Sequence, residues 1–451
     1  MKTTRTETTH MTTNRKSVWA LLLTFFLSAG FLMAEEESTL DTGDTAWMLT
    51  ATVLVLLMTL PGLALFYGGL VRSKNILSIL VQCFAMAGVM SIIWVVFGYA
   101  IAAGDAQAGG LWGWNSDYVM LGHVTENFAS GGDGSIPESV WVTFQMTFII
   151  ITPALIVGAF AERMKFSAML IFSVLWTVFS YLPAWHQVWN GGFLHGGEEG
   201  NFLFAAGQSA VDFAGGNVVH INAGIAGLVA CIFLGRRKGY PGPSVAPHNV
   251  PFVLIGASLL WVGWFGFNAG SAGGASGSAG MAMLTTQVAT ASAVVVWAAL
   301  EWIISKKPTA VGVATGAVAG LVAITPASGS TTVAGALIIG AISSLAGYFM
   351  VTKVKHALKY DDSLDVFGVH GIGGIVGALL TGVFLREGYD GSFIIQLKAV
   401  LFTVVWSGVV SVIALFIAKA VCGGLRVSEE VEHAGLDVSD HGEEAYHSEG
   451  H

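Results

Sequence analysis

The chain reads as an all-α polytopic membrane protein of eleven transmembrane helices, and three observations predict it. First, 54% of its 451 residues are hydrophobic and only 11% charged, with a mean hydropathy of +0.69. Soluble domains do not have this balance, and most of the chain must reside in lipid. Second, from Trp47 onward the apolar residues gather into eleven segments, at roughly 46–70, 75–103, 139–161, 167–185, 212–235, 250–270, 279–304, 310–326, 332–352, 366–385 and 393–422. Third, the loops between them alternate in charge. Arg72/Lys74, Arg163/Lys165, Arg236/Arg237/Lys238, Lys306/Lys307, Lys353/Lys355/Lys359 and Lys419/Arg426 fall on one side. The opposite loops hold only Arg386 and collect Asp105, Asp117, Glu126, Asp133, Glu138, Glu198 and Glu199. The positive-inside rule then places the N-terminus outside and the C-terminus inside, which agrees with an odd number of spans.

The ends of the chain differ from its middle. Residues 1–34 combine a basic start (Lys2, Arg5, Arg15, Lys16), an apolar stretch from Val18 to Met33 and a small residue, Ala34, ahead of Glu35, Glu36 and Glu37. This is the pattern of a cleaved signal peptide. The alternative, an uncleaved first span, is disfavoured because the stretch falls short of the roughly 20 residues needed to cross. Residues 35–45 are then a short outer segment, 46–424 the membrane domain and 425–451 a charged cytoplasmic tail, which by composition alone reads as disordered.

Composition also excludes several classes of function. The net charge of −9 is spread over short loop clusters and the tail, so nothing supports nucleic-acid binding. Cys83, Cys231 and Cys422 are too scattered for a disulfide framework or a zinc site. Glycine is frequent, at 58 residues, and spacings such as Gly373-x-x-x-Gly377 and Ala223-x-x-x-Gly227 permit close helix contacts. The acidic outer loops would concentrate cations at an entrance, although outer loops also avoid Lys and Arg for topological reasons alone.

Polar residues at membrane depth are the most informative, since each is costly unless paired or facing a lumen. In DFAGGNVVHINAGIAGLVA (212–230), Asp212 opens the fifth segment and His220 lies eight residues on, about 12 Å deeper at 1.5 Å per residue. In DVFGVHGIGGIVGALLTG (365–382), Asp365 opens the tenth and His370 lies five residues on. Both follow an acidic start with a His and a Gly-rich run, and they run in opposite directions through the bilayer. They read as equivalent elements of an inverted repeat, spans one to five against six to ten, with the eleventh as one long C-terminal helix. A single such His is most simply a packing residue satisfied by a neighbouring carbonyl or hydroxyl. Two at related positions, each beside glycines, point instead to a shared polar lumen. Asp212 and Asp365 read as N-caps that hold the two helix starts.

Further motifs carry a resemblance: FQMTF (144–148), AERMKFSA (161–168), YLPAWHQVWNGG (181–192), GWFGFNAGSAG (263–273) and the tail GLRVSEEVEHAGLDVSDHGEEAY (424–446). With the two histidine segments, in this order, they resemble the Amt/MEP/Rh family of ammonium transporters, on its bacterial Amt branch, from about Thr42 to Tyr446. The resemblance implies that Trp189, Ser271, Phe144 and Phe148 form an outer ammonium-binding vestibule. It implies that Phe148 and Phe267 close the pore below, that His220 and His370 line the lumen, and that Asp212 is essential. It further implies a homotrimer in an inner membrane with one pore per subunit, a tail docked beneath the cytoplasmic face, control by a PII-type signalling protein, and neither a cofactor nor an enzymatic activity. Rival readings are an ammonium sensor, a Rh-type gas channel and a membrane enzyme using the two histidines. Against them stand, in turn, no output domain after Tyr446, the vestibule residues Trp189 and Ser271, and no metal-ligand or nucleophile–base set beside the histidines. The terminal His447, Glu449 and His451 could ligate a metal, but solvated tail ends account for them as well.

The chemistry suits the substrate. Ammonium is about the size of potassium, so a carbonyl cage would not easily separate the two. A cation over an indole face gains roughly 0.5–2 kcal/mol, and potassium would share that gain. Only ammonium has a proton to give up, and a dry Phe-walled lumen favours the neutral amine.

Overall fold

Helices hold most of the described residues in the computed structural model, which describes residues 40–125, 129–131, 134–197, 200–242 and 246–446. The predicted signal peptide 1–34, residues 35–39, the loop acids Glu126, Asp133, Glu198 and Glu199, and the terminal His447, Glu449 and His451 lie outside the described residues.

Among the described residues nine helices are long and apolar enough to cross a membrane. They are α1 (Thr42–Leu70), α2 (Ser73–Ala102), α3 (Glu138–Phe160), α4 (Phe166–His195), α5 (Gly216–Leu234), α6 (Val250–Gly270), α7 (Gly277–Ser305), α9 (Val333–Leu358) and α11 (Phe393–Val421). Two shorter apolar helices, α8 (Ala310–Ile324) and α10 (Phe367–Thr381), occupy the positions of the eighth and tenth predicted segments. Each falls below the length set by a bilayer roughly 30 Å thick, so length and composition alone assign nine spans and not eleven.

The helix starts are legible in local chemistry. Asn249, Ser276, Thr309, Thr332 and Ser392 each accept a hydrogen bond from the backbone N–H three residues on, at the starts of α6, α7, α8, α9 and α11. This satisfies one of the amide groups that every helix start leaves open. The most deeply buried helices are α3 and α5, whereas α7 and α11 lie outermost. Helix α5 packs against α3, α10 and α11, α6 packs against α1, and α7 against α8 and α9. The two helices that carry Phe148 and His220 are therefore central.

Four loops on one side meet in a buried charge cluster. Arg237 donates to Glu162 at 2.9 Å and to Asp361 at 2.8 Å, and Arg72 donates to Glu162 at 3.0 Å. Arg163, fully buried, donates to the carbonyls of Gly235 and Ala159. Residues that read in the sequence as markers of topology thus also clamp the ends of α3, α5 and α9 together. Burial pushes the Glu162 and Asp361 carboxyls up, but the guanidinium of Arg237, joined at Glu162 by Arg72, outweighs it and holds both below the ordinary carboxylate range. Depressed carboxyls stabilise the fold above their unfolded value near 4, and that contribution disappears as pH falls through the lower folded value. Arg237→Ala leaves two buried carboxylates without their main partner, at a cost of about 3–5 kcal/mol. Thermal unfolding in detergent is expected to fall sharply in this variant at neutral pH, and the wild-type advantage over it to shrink below about pH 4.

The tail departs from its composition. Between Arg426 and Tyr446 it folds back, with a short helix α12 (Glu429–Ala434). The Asp437 carboxylate accepts from Leu77 N–H at 3.1 Å and Ser78 N–H at 2.8 Å, Leu436 N–H donates to Asn75 at 2.9 Å, and Glu432 accepts from Lys238 N–H at 2.6 Å. The open amides at the start of α2 draw Asp437 in, and that specific cap overrides the disorder that charge content predicts.

Candidate functional site

The fifth segment begins with a carboxylate that does the work of a whole helix cap. Asp212, buried, accepts from the N–H groups of Gly215 (2.9 Å), Gly216 (2.5 Å), Asn217 (2.8 Å) and Val218 (3.3 Å). Four amides that would otherwise be unpaired in an apolar interior are satisfied by one side chain. The turn needs Gly215 at φ 118°, a left-handed conformation that glycine adopts freely. The Asp212 carbonyl in turn accepts from the Trp189 indole N–H at 2.8 Å, so the same residue anchors the aromatic above it.

At the tenth segment the expected cap is corrected. Asp365 has a left-handed φ of 61°, which turns its carboxylate aside to form an ion pair with Lys355. The residue that receives the Phe367 N–H is Asp362, at 2.7 Å and fully buried. The expectation failed because the carboxylate nearest the histidine in sequence is not the one the loop aims at the helix start. Burial and the neighbouring Asp365 raise the Asp362 carboxyl, with Lys355 opposing them.

The histidine segments cross antiparallel with reciprocal contacts. A Cβ on Gly224 would lie 2.3 Å from the Cα of Gly371, and one on Gly374 would lie 3.1 Å from the Cβ of His220. Each histidine is thus followed four residues later by a glycine packed against the opposite segment, and this close approach brings the imidazoles together. His220 and His370 stack with centroids 5.4 Å apart, 20° between planes and 3.3 Å between their Nδ1 atoms. Two Nδ1 atoms at that distance share one hydrogen, so one ring donates and the other accepts. A neutral pair then leaves one Nε2–H donor and one bare Nε2 acceptor. The Nε2 of His220 is buried and has no hydrogen-bond partner among the described residues.

Above the pair the aromatics form a continuous run. Phe267 lies 6.0 Å from His220 at 25° and 4.3 Å from Phe148 at 34°. Phe148 meets Phe144 at 5.1 Å and Trp189 at 6.0 Å, the latter at 90°. Phe144, Phe148 and Phe267 are fully buried. Ser271, one turn along α6 from Phe267, donates its hydroxyl hydrogen to the Phe267 carbonyl at 2.8 Å. Its oxygen lone pairs are thereby left as acceptors.

Two cavities continue the line. The first is lined by Phe66, Ile151, Leu155, Trp264, Phe267, His220 and His370 among others, and leaves about 10 Å³ for the centre of a water-sized sphere, about the least that one water-sized molecule needs. The second, about 220 Å³, is lined by Phe66, His370, Tyr67, Tyr240, Lys355 and Asp365. Phe66 and His370 border both.

Sequence reasoning missed Trp264 and Asp362. Trp264 stacks on His220 at 5.4 Å and 21°, and its indole N–H donates to Thr325 at 2.9 Å. An indole inside an apolar span needs a partner for its N–H, which is the signal that could have found it. The described residues contain no group of three His, Cys, Asp or Glu side chains placed to hold a metal ion.

Nine helices long and apolar enough to cross a membrane among the described residues, with paired histidines buried beside a run of aromatics, define a polytopic membrane protein. The chain belongs to the Ammonium Transporter Family, whose profile matches residues 46–446, and it is accordingly a transporter and not an enzyme. It is 49% identical over 436 residues to an ammonium transporter of Aquifex aeolicus, covering 94% of this chain and 98% of that protein. It is 44% identical over 418 residues to an ammonium transporter of Bacillus subtilis, covering 90% and 98%. Among solved structures, Mep2 of Saccharomyces cerevisiae superposes with a TM-score of 0.77 at 30% identity, covering 86% of this chain and 91% of that one. A structure described as a sensor Amt protein gives 0.76 at 29%, covering 88% and 97%.

Proposed function

We propose that the protein captures ammonium at Trp189, Ser271, Phe144 and Phe148, strips it of a proton, and passes ammonia between Phe148 and Phe267 and along His220 and His370. The single observation that carries this reading is the histidine pair bordering a cavity of about the size of one water. An indole face and a hydroxyl acceptor suit a cation that donates hydrogen bonds. The buried phenyl rings beneath offer nothing to replace hydration, so a bare cation is penalised there and the neutral amine is not. Beyond them, one Nε2 donor and one Nε2 acceptor match ammonia, which has both a lone pair and N–H groups. The shared hydrogen between the Nδ1 atoms offers a route by which the abandoned proton follows, making transport electrogenic.

In this reading all eleven apolar helices cross, α8 and α10 included, with the N-terminus outside after signal-peptide cleavage and the C-terminus in the cytoplasm. The shorter lengths of these two agree with helices that begin or end inside the protein rather than at its surface. The subunit works in a homotrimer in the inner membrane, and the docked tail offers a PII-type protein a structured cytoplasmic surface. The second reading, a sensor that binds ammonium and scarcely conducts it, is favoured by the likeness to the sensor Amt structure. Uptake of labelled methylammonium by purified protein in liposomes separates the two. Saturable accumulation that ammonium competes away is expected, whereas label that binds without accumulating would favour the sensor.

A further inference from the structure

We infer that Gln145 and Trp185 are positioning residues that set the width of the ammonium vestibule and, with it, the preference for ammonium over its methylated analogue. Gln145 lies on α3 between Phe144 and Phe148, and Trp185 lies about one turn before Trp189 on α4. Both are buried. The Trp185 indole N–H donates to Gln145 Oε1 at 2.8 Å, so one hydrogen bond ties the helix that carries the phenyl walls to the helix that carries the indole. An indole N–H and an amide oxygen in an apolar interior are each costly unless paired, and these two satisfy each other.

The pair acts through Trp189. That ring is half-buried, close to where its helix unwinds at Asn190, and its N–H is held by the Asp212 carbonyl. One hydrogen bond fixes one edge of a ring and leaves it free to rock about the bond. Trp185 meets the ring at 5.8 Å and 86°, and Phe148 meets it at 6.0 Å and 90°. Two near-perpendicular neighbours, one from α4 and one from α3, therefore stop the rocking. Trp185 is in turn braced by Trp94 of α2, which packs on it at 6.3 Å and 66° and donates its own indole N–H to the Val142 carbonyl at 3.0 Å, less than one turn from Gln145. Trp189 then stands at a fixed gap from the phenyl walls. The attraction of a cation to a ring needs the ring face within about 6 Å, and a rigid pocket discriminates against one added methyl where a loose one accepts it.

Uptake of labelled methylammonium into liposomes by the purified full chain, competed by ammonium, tests it by giving the KM of one substrate and the half-competing concentration of the other. Gln145→Leu, which keeps the bulk and removes the acceptor, is expected to raise the half-competing ammonium concentration by about two- to thirtyfold, the range that one cation–π contact spans. The methylammonium KM moves less, so the preference for ammonium falls. Trp185→Phe is expected to do the same and decides the question where Gln145→Leu yields no folded protein. The double variant loses no more than either single one, because both remove the same bond. Gln145→Glu retains an acceptor oxygen and keeps the preference. Trp189→Ala separates a failure of this strut from a failure of the proposed vestibule on which it rests. Weakened competition in Trp189→Ala with an unchanged preference in Gln145→Leu and Trp185→Phe, even where these lower the maximal rate or the thermal stability, overturns the strut alone. Unchanged competition in Trp189→Ala overturns both.

Discussion

Asp212→Ala is expected to abolish uptake. Its carboxylate is the acceptor for four backbone N–H groups at the start of α5, and a buried donor left without a partner costs about 1–3 kcal/mol. Even where water replaces some of these contacts, the loss is a large part of a stability of about 5–15 kcal/mol. The effect also reaches the site directly, because the same turn positions the carbonyl that holds the Trp189 indole and starts the helix that carries His220. Asp212→Asn retains one acceptor oxygen but turns an NH₂ toward the other amides, so its uptake should fall between the two. Liposome uptake and thermal unfolding check the order together. Wild-type uptake in Asp212→Ala would show that the cap is dispensable.

Gly224→Ala is expected to be nearly as severe, although it adds one methyl group. That methyl would lie 2.3 Å from the Cα and from the backbone N of Gly371, and backbone cannot swing away as a side chain can. The two segments must separate by about 1 Å, and interiors packed at crystal density resist such shifts. Separation stretches the Nδ1–Nδ1 contact beyond its present 3.3 Å and out of hydrogen-bond range. Gly88→Ala in α2 serves as the control, since a Cβ there meets nothing within 4 Å. Uptake should be lost in the first and kept in the second; equal uptake in both would mean that the histidine contact does not govern passage.

Much of the site is legible in the residues because its physics is local. The Asp212 cap follows from an acid ahead of a Gly-rich apolar run. The pairing of His220 with His370 follows from two matching segments of opposite direction. What the residues do not carry is the aim of individual side chains. Asp365 and Asp362 differ by three positions in the same loop, and only the left-handed backbone at Asp365 decides which one caps α10. His186 also lies in an apolar helix and is fully buried, yet its Nδ1 lies 3.1 Å from the Ala102 carbonyl, away from the other two. Without a matching segment, its sequence offered no sign of a partner. The tail shows the same limit from the other side. Charge content speaks for disorder, and one carboxylate, Asp437, finding the open end of α2 is a tertiary event that composition does not encode.

The central claim is that ammonium is bound but ammonia crosses, with its proton following by way of the histidines. Current from proteoliposomes on a supported membrane, recorded after matched jumps of ammonium and of potassium, tests it most directly. Passage as ammonia with proton relay predicts current and uptake together on ammonium, none on potassium, and loss of current in the His220→Ala, His370→Ala double variant. Potassium current of similar size, uptake without current, or a double variant that conducts as the wild type does would contradict it.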